Sequence, residues 1–153
     1  MKQTISDKEE KYQLLIKQVG SIMEGVDDMI SNMANVAALI HNTFGFWWTG
    51  FYRVIDHELR LGPFQGPVAC THIPYGRGVC GKAWEAGQSI VVDDVETFPG
   101  HIACSSRSRS EIVVPLVRNG DVVAVLDIDS ENLATFDDTD RHYLELIAEQ
   151  MVR

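Results

Sequence analysis

Ile112-Val113-Val114-Pro115-Leu116-Val117-Arg118-Asn119-Gly120-Asp121-Val122-Val123-Ala124-Val125-Leu126-Asp127-Ile128-Asp129-Ser130 is the stretch that decides the fold. Two β-branched runs, 112–117 and 122–128, flank Asn119-Gly120, a pair suited to the left-handed backbone of a two-residue hairpin turn. The segment therefore predicts two adjacent antiparallel strands.

Working outward, 48–56 and 59–64 read as strands joined by a turn, 71–74 as a short strand and 89–95 as another. Residues 78–86 read as a short helix closed by Gly87. The run 96–110 has no apolar periodicity and is longer than most connections, a length that in compact domains often serves function. At the N-terminus the period changes to helical. Tyr12, Leu15, Ile16, Val19 and Ile22 make one apolar stripe, and Met29, Met33, Val36, Ile40 and Phe44 make a second that ends at Gly45. These methionines are read as core. A last helix starts near 138, with Asp137 as N-cap, Phe136 as staple, and Tyr143, Leu144, Ile147 and Met151 as its buried stripe.

The order α-α-β-β-β-α-β-loop-β-β-α holds more hairpins than crossovers. It predicts an α+β fold whose central, mainly antiparallel sheet of about six strands carries the N- and C-terminal helices on one side. Neither repeat nor linker divides the chain, so one domain is expected over 1–153, with helices in 1–45 and sheet, loops and final helix in 46–153.

The 153 residues are 45% hydrophobic and 23% charged, a globular balance. The net charge of −9 disfavours nucleic acid and anionic membrane as partners, and the few basic residues of 101–110 do not offset it. No apolar run approaches the ~20 residues of a membrane span. Residues 1–6 lack the apolar core of a signal peptide, so a cytoplasmic location is expected, where thiols stay reduced. The three cysteines cannot all pair within one chain, and their number favours catalytic, redox or metal use over a disulfide framework.

Cys104 lies in the polar run from Pro99 to Glu111. His101, Arg107 and Arg109 supply local positive charge, which favours a thiolate. Cys70 and Cys80 flank a segment bent by Gly76, Gly78 and Pro74, a bend able to bring loop cysteines together. Their C-x9-C spacing has no second pair and is a poor zinc pattern, so no metal is expected.

Asp127 and Asp129 point to one face of their strand. Two such acids ending an apolar strand call for a ligand ammonium, for an arginine of the protein, or for a strand end that frays into solvent. Trp48 and Tyr52 also share a face. They read either as ordinary core or as the walls of an apolar pocket, with indole N–H and phenol O–H as polar handles. Glu111 opens the partner strand. An ideal two-residue turn places it opposite Ile128, away from the aspartates, whereas one extra residue or a bulge places it opposite Asp129. Turn chemistry leaves both registers open.

Trp47-Trp48-Thr49-Gly50-Phe51-Tyr52, Leu61-Gly62-Pro63-Phe64-Gln65-Gly66, Cys70, Gly76-Arg77-Gly78-Val79-Cys80-Gly81, Phe98-Pro99-Gly100-His101-Ile102-Ala103-Cys104, Ser108-Arg109-Ser110-Glu111 and Leu126-Asp127-Ile128-Asp129-Ser130 together resemble the free methionine-(R)-sulfoxide reductases, which are stand-alone GAF-domain enzymes. The resemblance runs from about residue 8 to the end. It implies a GAF fold and a reductase in which Cys104 is catalytic, Cys70 resolves it and Cys80 joins disulfide exchange. It implies that Glu111, Asp127 and Asp129 hold the substrate and activate its sulfoxide, and that Trp48 and Tyr52 wall its methyl-sulfoxide end. The implied position of Glu111 argues for the shifted register. Also implied are free methionine sulfoxide as substrate, no bound cofactor, NADPH-linked thioredoxin as external reductant and a homodimer, expected to form through the N-terminal helices. Two other readings use the same residues: a non-enzymatic GAF small-molecule sensor and a thiol redox sensor.

Overall fold

The computed structural model describes residues 5–102 and 107–153. Its first helix, α1 (Asp7–Met23), is capped by Ser6, whose hydroxyl accepts from the Glu9 amide at 3.2 Å. The second, α2 (Met29–Phe44), is capped by Asp28 and closed by Gly45 in the left-handed conformation. The C-terminal helix α4 (Asp138–Met151) starts in a reciprocal capping box between Asp137 and Asp140. Asp140 is buried, and it also accepts from Tyr12 Oη at 2.6 Å and Lys8 Nζ at 2.8 Å. One buried carboxylate thus ties α1 to the start of α4, and its partners offset its desolvation.

The strands are β1 (Trp48–Ile55), β2 (Glu58–Gln65), β3 (His72–Pro74), β4 (Ile90–Val92), β5 (Ser110–Arg118) and β6 (Asp121–Ser130). They form a six-stranded sheet in the order β3-β2-β1-β6-β5-β4, with every pairing antiparallel. Strand alternation sorts the side chains into two cores. Phe51, Ile112, Val114, Leu126 and Ile128 face α1, α2 and α4. Trp48, Tyr52, Val113 and Val125 face the other way, against Val79, Ala83 and Trp84 of α3 (Gly78–Ala86). The N- and C-terminal helices lie on one side as expected, and α3 covers part of the opposite face.

The run 89–95 does not form one strand. Only Ile90–Val92 pairs with β5, because Asp94 turns its carboxylate back to the Glu96 amide at 3.0 Å and opens a 3-10 turn over Val95–Thr97. At the tip of the β5–β6 hairpin, Asn119 and Gly120 have φ of 54° and 83°, and Arg118 pairs with Asp121. The turn is therefore the tight two-residue form. The register nevertheless shifts further in: Val117 pairs with Val122, but Leu116 pairs with Ala124. Val123 is the extra residue of a bulge, and beyond it Glu111 stands opposite Asp129. Turn and bulge are both present, and the bulge decides where Glu111 goes.

Candidate active site

The bulge and the strand pairings converge three carboxylates on the α3 side of the sheet. Asp129 pairs with Trp48 of β1 and with Glu111 of β5, and Asp127 pairs with Gly50 and Val113. All of these residues share one face with Tyr52, which lies opposite Val125. Trp48, Tyr52, Cys80, Glu111, Asp127 and Asp129 line a single pocket of about 530 Å³ of empty space, its open mouth included. His101, Ile102 and Ser108 border it from the segment that enters β5, and Ala69 borders it from the loop before Cys70.

Glycine makes the aromatic wall possible. The Trp48 indole lies across Gly50, where an added Cβ would meet the ring at 2.6 Å and would also strike Phe64. Gly66, at φ 134°, takes the other edge of the indole in the same way, with an added Cβ 2.8 Å from Cδ1. Trp48 then stacks on Phe64 at 5.2 Å and on Tyr52 at 5.9 Å between ring centroids. A Gly50→Ala variant is expected to displace the indole and to lose about 1–3 kcal/mol of stability. Thermal or urea unfolding measures the loss, and an unchanged midpoint would contradict this packing.

The polar handles of the two aromatics are both engaged by backbone carbonyls. Trp48 Nε1 donates to Pro67 O at 3.0 Å, and Tyr52 Oη donates to Cys70 O at 3.1 Å. Both bonds go to the irregular loop that carries Cys70. The Tyr52 phenol is held neutral: burial raises its pKa, and Asp127 and the other acidic groups nearby raise it further.

Glu111 and Asp127 are 6% and 5% exposed, which rules out a frayed strand end. Burial raises the pKa of Glu111 well above the usual carboxylate value, and the negative charges of Asp127 and Asp129 add to it. Asp129 is raised well above its usual value by burial and by the charge of Asp127, against hydrogen bonds from Ser108 and Glu111 that pull it down. Asp127 is raised by burial, against the opposing pull of hydrogen bonds from its neighbours. The trio thus holds protons more tightly than free carboxylic acids do. Ser108 Oγ donates to Asp129 Oδ1 at 3.2 Å, and the buried Asp127 Oδ1 accepts no hydrogen bond from the described residues. His101 reaches the trio, with Nε2 3.9 Å from Glu111 Oε1. Burial lowers its pKa although Asp127 pulls the other way, so the ring is a weak source of positive charge.

The cysteines divide sharply. Cys80 is a free thiol, 4% exposed, on α3. Burial raises its pKa well above the ordinary thiol value, with Asp127, Glu111 and Asp129 adding to the effect. Cys70 is half of a disulfide. Cys104 lies outside the described residues. Of the cations expected around it, His101 faces Glu111, Arg107 sits over the Trp47 ring at 5.4 Å, and the Arg109 backbone extends the sheet by donating to Ser130 O at 2.7 Å.

Sequence reasoning missed Ser108 as a donor to Asp129, the approach of His101 to Glu111, and Gly50 and Gly66 as the seats of Trp48. Gly50 carried a usable signal: a glycine between Trp48 and Tyr52 in a strand marks a place where something crosses closely.

This sheet, its helices and its one-sided pocket define a GAF domain, and the GAF-domain family model matches residues 26–153. The chain is 52% identical to GAF domain-containing protein A of Dictyostelium discoideum, over 92% of its own length and 89% of the relative's. It is 42% identical to the free methionine-R-sulfoxide reductase of Escherichia coli, over 95% and 88%. It also superposes on the crystal structure of the free methionine-R-sulfoxide reductase of Neisseria meningitidis in complex with its substrate, with a TM-score of 0.94, 50% identity and coverage of 99% and 92%. The chain belongs to the free methionine-R-sulfoxide reductase family of GAF-domain enzymes.

Proposed function

We propose that this protein reduces free L-methionine (R)-sulfoxide to L-methionine. The observation that carries the reading is the buried acid trio, set on one wall of an aromatic-sided pocket beside the Cys70 loop. A sulfoxide resists attack until its oxygen is protonated, and Glu111 is the acid best suited to supply that proton, since it is buried and flanked by two like charges. Asp127, whose Oδ1 accepts from none of the described residues, and Asp129 are suited to an α-ammonium group. Trp48 and Tyr52 wall the methyl-sulfoxide end. A peptide-bound methionine sulfoxide has no ammonium to offer, which accounts for selectivity toward the free amino acid.

In this scheme the Cys104 thiolate attacks the sulfoxide sulfur and takes its oxygen. Methionine leaves, reduced by two electrons, and Cys104 becomes a sulfenic acid. The Cys70 thiol displaces that oxygen as water and forms a disulfide with Cys104. A thioredoxin-type dithiol then exchanges with the disulfide, restores both thiols and is itself oxidised. Two features favour Cys70 over Cys80 as resolver: Cys70 is the described cysteine that carries a disulfide, and Cys80 is a buried thiol held protonated. A thiol sensor has no use for a proton-retaining trio inside a pocket, so the enzyme reading is preferred.

Turnover measured with separate epimers tests the proposal. The R epimer of free methionine sulfoxide is expected to be reduced at least about 100-fold faster than the S epimer or a peptide-bound sulfoxide, the discrimination typical of a site whose polar groups must all be matched. Equal rates on all three would refute it.

A further inference from the structure

The loop that carries Cys70 has little to hold it. Residues 66–71 have no regular secondary structure, and Val68 at its crest is 90% exposed. Besides the disulfide at Cys70, three hydrogen bonds to backbone carbonyls anchor it among the described residues. Leu61 N donates to Thr71 O at 3.0 Å at its end, Trp48 Nε1 to Pro67 O at 3.0 Å near its start, and Tyr52 Oη to Cys70 O at 3.1 Å on the cysteine itself. The last bond is the only one of the three on the residue whose sulfur is bonded. Its donor is 2% exposed, locked on a central strand and stacked on Trp48. A carbonyl fixed by a rigid phenol fixes the Cα of Cys70, and with it the arc that the sulfur sweeps.

We propose that Tyr52 is a positioning residue for disulfide closure: through its bond to the Cys70 carbonyl it holds the resolving sulfur where it meets the oxidised attacking cysteine. The inference rests on the reductase reading above and goes beyond it, because it gives a pocket wall a second task in a later step. Methionine release uses the attacking thiol, the acids and the Tyr52 ring as a pocket wall, which phenylalanine keeps. Closure needs Cys70 in place. Removing the phenol oxygen therefore acts on the second step more than on the first.

The test follows both steps in a single turnover of the reduced, full-length protein mixed with excess R-sulfoxide and no thioredoxin. Methionine is counted by chromatography, disulfide by loss of free thiols, and sulfenic acid by dimedone adduct mass. In wild type, methionine and disulfide are expected to form together, one per chain, with little trapped sulfenic acid. In Tyr52→Phe, whatever pace methionine release takes with an altered pocket wall, disulfide is expected to lag behind it by about tenfold or more, because a misplaced partner slows an intramolecular step steeply. The dimedone adduct should rise accordingly, toward the level seen in Cys70→Ser. If disulfide in Tyr52→Phe keeps pace with methionine, the inference fails while the reductase reading stands. If wild type releases no methionine, the reductase reading fails first. Should Tyr52→Phe unfold, Trp48→Phe removes the Pro67 anchor but keeps the Tyr52 bond, so disulfide is expected to keep pace with methionine there, and a lag of about tenfold overturns the assignment to Tyr52.

Discussion

Replacing Cys104 by serine is expected to abolish turnover of methionine (R)-sulfoxide, with a fall of more than about 10⁴-fold in the thioredoxin-coupled assay. Serine is nearly isosteric, but its hydroxyl stays protonated at neutral pH and is a poor nucleophile toward sulfur. Neither remaining cysteine is placed to substitute. Cys80 is enclosed in α3 beside three acids that disfavour its thiolate, so it lacks the charge that attack requires. Cys70 sits on a loop whose carbonyl is tied to Tyr52. The reduced variant is expected to unfold at the wild-type midpoint, since serine differs from cysteine by a single atom. Full turnover in Cys104→Ser would move the attacking role to another thiol and overturn the mechanism. In a ligand-binding assay the same variant is expected to keep its affinity for the sulfoxide, because the carboxylates and aromatic walls are untouched.

Glu111→Gln is expected to lower kcat by about 10²- to 10⁴-fold, the usual contribution of a positioned proton donor. Its pH profile separates a lost proton from a lost contact. Glu111 is effective while protonated, and its pKa is raised in the folded protein. Wild-type activity therefore falls as pH rises through that raised value, and this decline is expected to vanish in the variant. A parallel decline in both proteins would assign it to another group. The pH dependence of stability has the same sign as that of activity, whereas removing the acid moves the two in opposite directions. An acid whose folded pKa is raised favours folding fully only below its unfolded value, near that of a free carboxylic acid, and that contribution is lost as pH rises toward the folded pKa. At neutral pH the trio therefore opposes folding, and Glu111→Gln, which removes one of the three buried acids, is expected to raise the thermal midpoint while it lowers the rate. Each kcal/mol relieved corresponds to about 2–4 °C for a chain of this size. A variant that is both slower and less stable would show that Glu111 serves packing instead.

The fold was largely legible because its signals are local. Asn119-Gly120 announced the central hairpin, Gly45 and Gly87 closed their helices, and the apolar stripes of α1, α2 and α4 named the residues that became one core. The fault at 89–95 has a local cause too: Asp94 competes for the backbone, a side-chain effect that strand propensity does not register. The site was legible in residue type and less so in arrangement. Trp48, Tyr52, Glu111, Asp127 and Asp129 do meet in one pocket. The handles of Trp48 and Tyr52 face the Cys70 loop because Pro67 and Cys70 approach them across a long connection, and sequence spacing holds no record of such approaches. Ser108 reaches Asp129 through a strand pairing 21 residues apart, and the register of that pairing was itself undecided.

Val123 makes one further point. Upstream and downstream of it the β5–β6 ladder is regular, so the whole placement of the trio depends on this one residue being left out of the pairing. Were Val123 paired in step instead of bulged, the ladder would run on from the turn and Glu111 would meet Ile128, its carboxylate directed into the apolar layer under α2 and α4. The bulge, distant from the pocket and chemically inert, thus acts as a parity bit. It determines whether the same amino acids spell an acid site or a misplaced charge, and a slip of the pairing by one residue would silence the chemistry without touching any residue that performs it.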